Sequence, residues 1–201
     1  MKEILKFVVL TTAIFLGLVT YVNADVSYNP ETRTMEISGP TDTDLVVKAS
    51  NVLREEEVER IFMWGPGGFF EMSLQLGHRI KKEGVEVIIP AGKYCISACA
   101  FAALGAEKIT VDGTIMFHRP YLNYVPTFDN IESIIAHGGK AYIKMARYAE
   151  DMGYERRLVD NIITYSTPCK FLSWSELTIT PPKIVLWSID DRCGNRYGFI
   201  R

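Results

Sequence analysis

Between Val58 and Leu104 the hydrophobic pattern repeatedly switches period, and this switching restricts the fold more than any other feature of the sequence. Val58–Trp64 is a short apolar run that stops at Gly65-Pro66-Gly67-Gly68. Phe69–Lys82 then spaces its apolar residues at helical intervals, with Phe70, Leu74, Gly77 and Ile80 on one side. Val85–Pro90 is a second short apolar run, and Ser97–Leu104 reads as a short helix of small residues. Short apolar runs bounded by turn residues are strands buried on both faces. Alternating them with helices requires crossover connections, so the expected architecture is α/β, a largely parallel sheet covered on both sides.

The flanking sequence extends this pattern. Val26–Ser38 reads as two extended pieces joined at Asn29–Arg33, and Asp42 or Thr43 can cap a helix whose apolar face holds Leu45, Val46, Ala49 and Leu53. Ile109–Val111 and Ile115–His118 are expected strands separated by Asp112-Gly113. From Asp129 to about Thr164 the pattern is helical with a break near Met152-Gly153. Leu172–Leu177 resembles a capped turn opening a short helix, and Lys183–Ile189 a last strand. No repeat, low-complexity tract or linker divides the chain.

Residues 1–24 have a basic start (Lys2, Lys6), an apolar run from Phe7 to Val19, and small or compatible residues at Val22 and Ala24. This is the pattern of a secretory signal peptide, shorter than the roughly 18 to 20 apolar residues that favour a spanning helix. The expectation is one domain over residues 25–201, in the periplasm or secreted, touching a membrane only if the signal segment stays uncleaved. Losing Lys2, Lys6 and Glu3 moves the formal charge from −2 to −3 and leaves no basic cluster to follow a phosphate backbone, which argues against nucleic acid as a partner. A 48% hydrophobic composition argues against disorder.

All four cysteines, Cys95, Cys99, Cys169 and Cys193, fall in the exported part, where disulfides form. Three pairings are open. Cys169 with Cys193 would tie down the C-terminal tail, and Cys95 with Cys99 would straddle Ser97 and brace its turn. C-x3-C followed by single distant cysteines is a poor match to a zinc site, so no metal and no cofactor is expected.

Two polar residues stand out between Tyr94 and Pro120. Ser97 follows VIIPAGKYCI and is flanked by Ala98 and Ala100, which leaves room for an approaching carbonyl; taken singly, it reads first as a helix N-cap. His118 lies on the apolar strand IMFHRP, where a buried ring needs a hydrogen-bond partner. A serine becomes a nucleophile only when a base takes its proton and donors receive the oxyanion. Glycines at Gly67 and Gly68, at a strand end before a helix, can turn backbone N–H groups toward a cavity. His78 and His137 are remote from any serine-bearing turn and read as packing or surface residues.

In combination, a strand ending in PGG, an apolar helix, a strand, a small-residue serine helix and a strand carrying IMFHRP resemble the ClpP/crotonase superfamily. The nearest likeness is to ClpP-like serine peptidases and their exported relatives, over about Ile61 to Leu177. The resemblance implies a fold of stacked β-β-α units, with Ser97 in the place of the nucleophile and His118 in that of the general base. Gly67, Gly68 and the N–H of Ala98 take the place of the oxyanion donors. It implies a peptide or protein substrate and assembly into trimers or rings.

The sequence also departs from that family. Where the peptidases have an aspartate before a segment like RFLSAxEA, Tyr165–Ser173 contains no acid. Asp160 and Asp151 are substitutes by chain order, and a Ser97/His118 dyad is the other arrangement. The serine-to-histidine interval is shorter than in the usual peptidase. Lys140 and Lys144 offer a lysine base of the kind that signal-peptide peptidases use, at the cost of desolvating an ammonium. The expected function is an exported, ATP-independent serine hydrolase of peptidase type. Its alternative is a catalytically inactive crotonase-fold binding or scaffold protein of the cell envelope, suggested by the missing acid and by bulky Trp64. Acyl-CoA chemistry fits poorly with an exported chain, and no GxxxxGK[ST] nucleotide loop is present.

Overall fold

The structure, a computed structural model, describes residues 24–119, 131–166, 170–173 and 184–186. Residues 1–23 of the expected signal segment, Cys169, Cys193 and residues 174–177 of the expected C-terminal turn lie outside the described residues.

The chain opens with an antiparallel pair, β1 (Asp25–Asn29) on β2 (Thr34–Thr41). Asp42 then caps α1 (Thr43–Glu55), its carboxylate accepting the Leu45 N–H at 2.9 Å. Leu45, Val46, Ala49 and Leu53, one stripe at helical spacing, are the residues α1 buries. Burial of a side chain such as Leu45 contributes about 1.5 to 3 kcal/mol. β3 (Arg60–Gly68), α2 (Phe70–Glu83), β4 (Glu86–Ile89), β5 (Tyr94–Ile96), α3 (Ala98–Ala103), β6 (Lys108–Val111) and β7 (Thr114–Phe117) follow. α4 (Ile131–Met152) and α5 (Arg157–Tyr165) precede the short strands β8 (Lys170–Ser173) and β9 (Ile184–Leu186). No helix among the described residues is long and apolar enough to cross a membrane.

β3 organises the sheet because it belongs to two branches. Its first half pairs in parallel with β4, Arg60–Phe62 against Glu86–Ile88, and β4 carries β6. Further along, Gly65 pairs with Cys95 of β5, which lies parallel to β7. β2 runs parallel along the other side of β3, and β8 and β9 continue antiparallel from β7. Strand alternation with helices therefore yields the expected α/β domain, parallel in its interior and along the β4–β6 branch, and antiparallel at the β1 and β8–β9 margins.

Three local expectations change. The glycine segment is not a turn, since β3 continues through Gly68 and the helix starts only after Phe69, whose N–H reaches the Thr41 carbonyl at 2.8 Å. Tyr94–Ile96 is a strand, too short and too polar at its start to stand out. Lys170–Ser173 is also extended, where the sequence suggests a capped turn and helix from Leu172.

α3 is buried along its whole length, which explains its composition of alanines with Cys99 and Phe101. Larger residues would not fit between the sheet and α2. α4 crosses behind it, and the buried Tyr148 hydroxyl donates to the Phe101 carbonyl at 2.7 Å. That reach is possible only past a glycine: a Cβ on Gly77 of α2 would stand 1.7 Å from the Tyr148 hydroxyl oxygen.

Candidate functional site

Gly67–Gly68, Ser97 and His118 come from three adjacent parallel strands, each at or just beyond the carboxyl end. The register sets Gly65 beside Cys95 and Cys95 beside Ile115, so the residues that follow leave the sheet together. Ligands of open α/β sheets bind in this position.

Ser97 connects β5 to α3 with φ 57° and ψ −119°, a left-handed conformation rare outside glycine. Holding a side-chain-bearing residue there costs on the order of 1 to 3 kcal/mol, so the surroundings must enforce it. They do so from both sides, as its N–H donates to the Met116 carbonyl of β7 at 2.9 Å and its carbonyl accepts the Phe101 N–H at 3.0 Å. The buried Cys95–Cys99 disulfide spans the same turn. Although Ser97 occupies the N-cap position of α3, its hydroxyl makes no capping hydrogen bond. The local geometry is that of a sharp strand-to-helix elbow that presents a serine, instead of spending it on the helix.

The glycines allow β3 to close on this elbow. At Gly67, φ is +89°, and an added Cβ would lie 2.5 Å from the Ile96 carbonyl oxygen, 2.8 Å from the Ser97 Cβ and 2.9 Å from the Ala98 nitrogen. At Gly68 a Cβ would meet the Thr41 carbonyl at 2.5 Å. Two backbones thus pass with no side chain between them, next to Ala98, whose N–H is one of the first-turn donors that a helix leaves without an intrahelical acceptor.

His118 follows β7 directly and is only 4% exposed. Burial pushes its ring down to about 4 from the ordinary 6.5, against the opposing pull of the Arg119 carbonyl. That carbonyl lies 2.6 Å from Nδ1. A carbonyl oxygen can only accept, so Nδ1 carries the hydrogen and Nε2 the lone pair in the neutral ring. Arg119 itself is anchored: its N–H donates at 2.9 Å to Oγ of the buried Ser166, whose hydroxyl donates to the Ile162 carbonyl of α5.

The two acids singled out by chain order have other surroundings. Asp160 is exposed on α5, and one carboxylate oxygen accepts the Tyr142 hydroxyl at 2.7 Å. Asp151 is exposed near the end of α4, where its backbone carbonyl accepts from Lys81. His118 Nδ1 meets a main-chain carbonyl, that of Arg119. Lys144 is exposed and pairs with Glu71 of α2, and Lys140 is exposed on the same helix. His78 is a surface residue whose ring meets Tyr148 edge-on, with centroids 5.2 Å apart. Trp64 lies under the Lys93 ammonium, which is 5.1 Å from its ring centre.

Ser166 and the Arg119 carbonyl are the parts that sequence inspection missed. A main-chain acceptor leaves no trace in residue types, and a serine at a helix end reads as a turn residue. The sole available signal was the His-Arg-Pro order, because the residue before a proline is held out of the helical region.

No protein-family model and no curated protein matches the sequence. Among solved structures, the chain is similar to a mutant ClpP1 from Listeria monocytogenes, with a TM-score of 0.52 and 22% sequence identity, covering 66% of this chain and 80% of that one. With its forked sheet and strand-end elbow, this chain has a ClpP-like fold.

Proposed function

We propose that the protein is an ATP-independent serine hydrolase of peptidase type, with Ser97 as nucleophile and His118 as general base. The observation that carries this reading is the elbow itself: a serine held in a costly backbone conformation, its hydroxyl unused for capping, beside the strand that delivers a neutral histidine. Nε2 takes the Oγ proton as Oγ attacks the substrate carbonyl. Main-chain N–H groups of Gly67, Gly68 and Ala98 receive the oxyanion. The imidazolium returns its proton to the leaving amine, and water activated by the same nitrogen hydrolyses the acyl-enzyme. In this arrangement the pair is a dyad, without Asp160 or Asp151 as a third member.

The buried Cys95–Cys99 disulfide and the basic-then-apolar start support a periplasmic or secreted location, with peptides or unfolded protein as substrate class. The ClpP-like fold supports self-assembly. A second reading, a binding scaffold with a silent site, is favoured by the carbonyl that stands where a carboxylate would otherwise stabilise the imidazolium. A fluorophosphonate probe separates the two. Labelling of wild type and loss of label in Ser97→Ala is the expected result; equal labelling of both proteins refutes the nucleophile.

A further inference from the structure

We infer that Ser166 is a positioning residue for His118, acting through the main chain of Arg119 in the role that a carboxylate side chain plays in acid-containing sites. This rests on the proposed base, and its geometry can be followed atom by atom. The Ile162 carbonyl accepts from Ser166 Oγ, Ser166 Oγ accepts from the Arg119 N–H at 2.9 Å, and the Arg119 carbonyl accepts from His118 Nδ1 at 2.6 Å. Ser166 is 1% exposed, so water does not compete for its hydroxyl. Its own N–H is tied to the Ile162 carbonyl at 3.2 Å, which fixes it to the end of α5.

Each link has a chemical reason. A serine hydroxyl can accept from Arg119 and donate to Ile162 at once, whereas alanine would leave the Arg119 N–H unpaired and the Ile162 carbonyl with only the main-chain N–H of residue 166. Restricted by the proline that follows, Arg119 has little freedom except to turn about its own peptides. Pinning its N–H therefore aims its carbonyl. The aimed carbonyl selects the Nδ1–H tautomer and leaves Nε2 as the acceptor for a serine proton. A neutral dipole performs the orienting half of an aspartate's work and, lacking a full charge, favours the imidazolium too little to offset burial.

The test compares wild type, Ser166→Ala and Ser166→Thr by imidazole 15N NMR at neutral pH and by the rate of fluorophosphonate labelling. Wild type is expected to show the Nδ1–H tautomer. Ser166→Ala is expected to show mixed tautomers and labelling slowed at least about tenfold, inside the roughly 10²- to 10⁴-fold that a positioned base supplies. Ser166→Thr, which keeps the hydroxyl, is expected to restore both. If Ser166→Ala does not fold, Ser166→Cys carries the same expectation, because a thiol is nearly isosteric but a weak acceptor. Wild-type tautomer and labelling rate in the folded Ala or Cys variant overturn the inference, as does an Nε2–H tautomer in wild type. An unlabelled wild type whose Nδ1–H tautomer depends on Ser166 instead defeats the hydrolase reading and leaves the positioning intact.

Discussion

Gly67 and Ser97 are packed backbone against side chain, so closely that a Cβ on the glycine would sit 2.8 Å from that of the serine. Two strands meet there with the space of one hydrogen atom to spare. The same glycine has φ +89°, so any side chain would add backbone strain to the clash.

Gly67→Ala is accordingly expected to lower stability by about 2 to 4 kcal/mol, the sum of overpacking and left-handed strain, and to reduce fluorophosphonate labelling by more than about 100-fold. Denaturant melts and labelling kinetics check the two parts separately. A variant labelled at the wild-type rate would show that the approach of β3 to the elbow has no part in oxyanion binding.

The titration of His118 makes a prediction of definite sign. Burial lowers its folded value to about 4 from 6.5, so between those limits the unfolded chain binds more protons than the folded one. Its contribution to stability is complete above about pH 6.5 and lost as pH falls toward 4, amounting to about 3 kcal/mol on an order-of-magnitude reckoning. Melts of wild type and His118→Gln at pH 7 and pH 4.5 should show the steeper loss in wild type. The labelling rate should hold down to about pH 5, below the point where an unperturbed histidine base is already protonated.

Cys95 and Cys99 close a short loop, for which chain entropy gives a stabilisation of about 2 kcal/mol. The double variant Cys95→Ala/Cys99→Ala should melt several degrees lower and label more slowly, since the Ser97 turn loses one of its restraints. Both sulfurs are buried, so reductant added without denaturant should leave labelling unchanged over hours, as thiol-specific alkylation and mass measurement will report.

Lys144→Ala should label as wild type does. Its ammonium is exposed and pairs with Glu71, an arrangement worth about 0 to 1 kcal/mol. Loss of labelling in this variant would transfer the base from histidine to lysine.

The strand and helix order was legible because burial imposes period: Leu45, Val46, Ala49 and Leu53 declare α1, whereas of the stripe Phe70, Leu74, Gly77 and Ile80 expected on α2 only Gly77 and Ile80 are fully buried, beside Ser73 and Leu76. Gly65–Gly68 was misread because glycine marks both turns and close approach, and only the neighbouring elbow reveals which applies. The three-residue β5 was too brief for any period to show. Ser97 and His118 stand out as a pair only through the resemblance to the ClpP/crotonase superfamily, and the strands that carry them are adjacent. Ser166 could not be picked out, because its importance lies in hydrogen bonds to the main chain of a residue far away in sequence.

The fork in β3 makes the pairings around the elbow non-local. β5 lies between the second half of β3 and β7, and neither partner is its neighbour in sequence. Every one of these pairings closes a loop that contains a helix or a crossover, so the entropy is spent before any contact repays it. A chain that is still threading, or only half collapsed, holds neither the left-handed serine nor the aimed imidazole. The left-handed backbone of Ser97 and the placement of the His118 ring are thus properties of the finished fold alone.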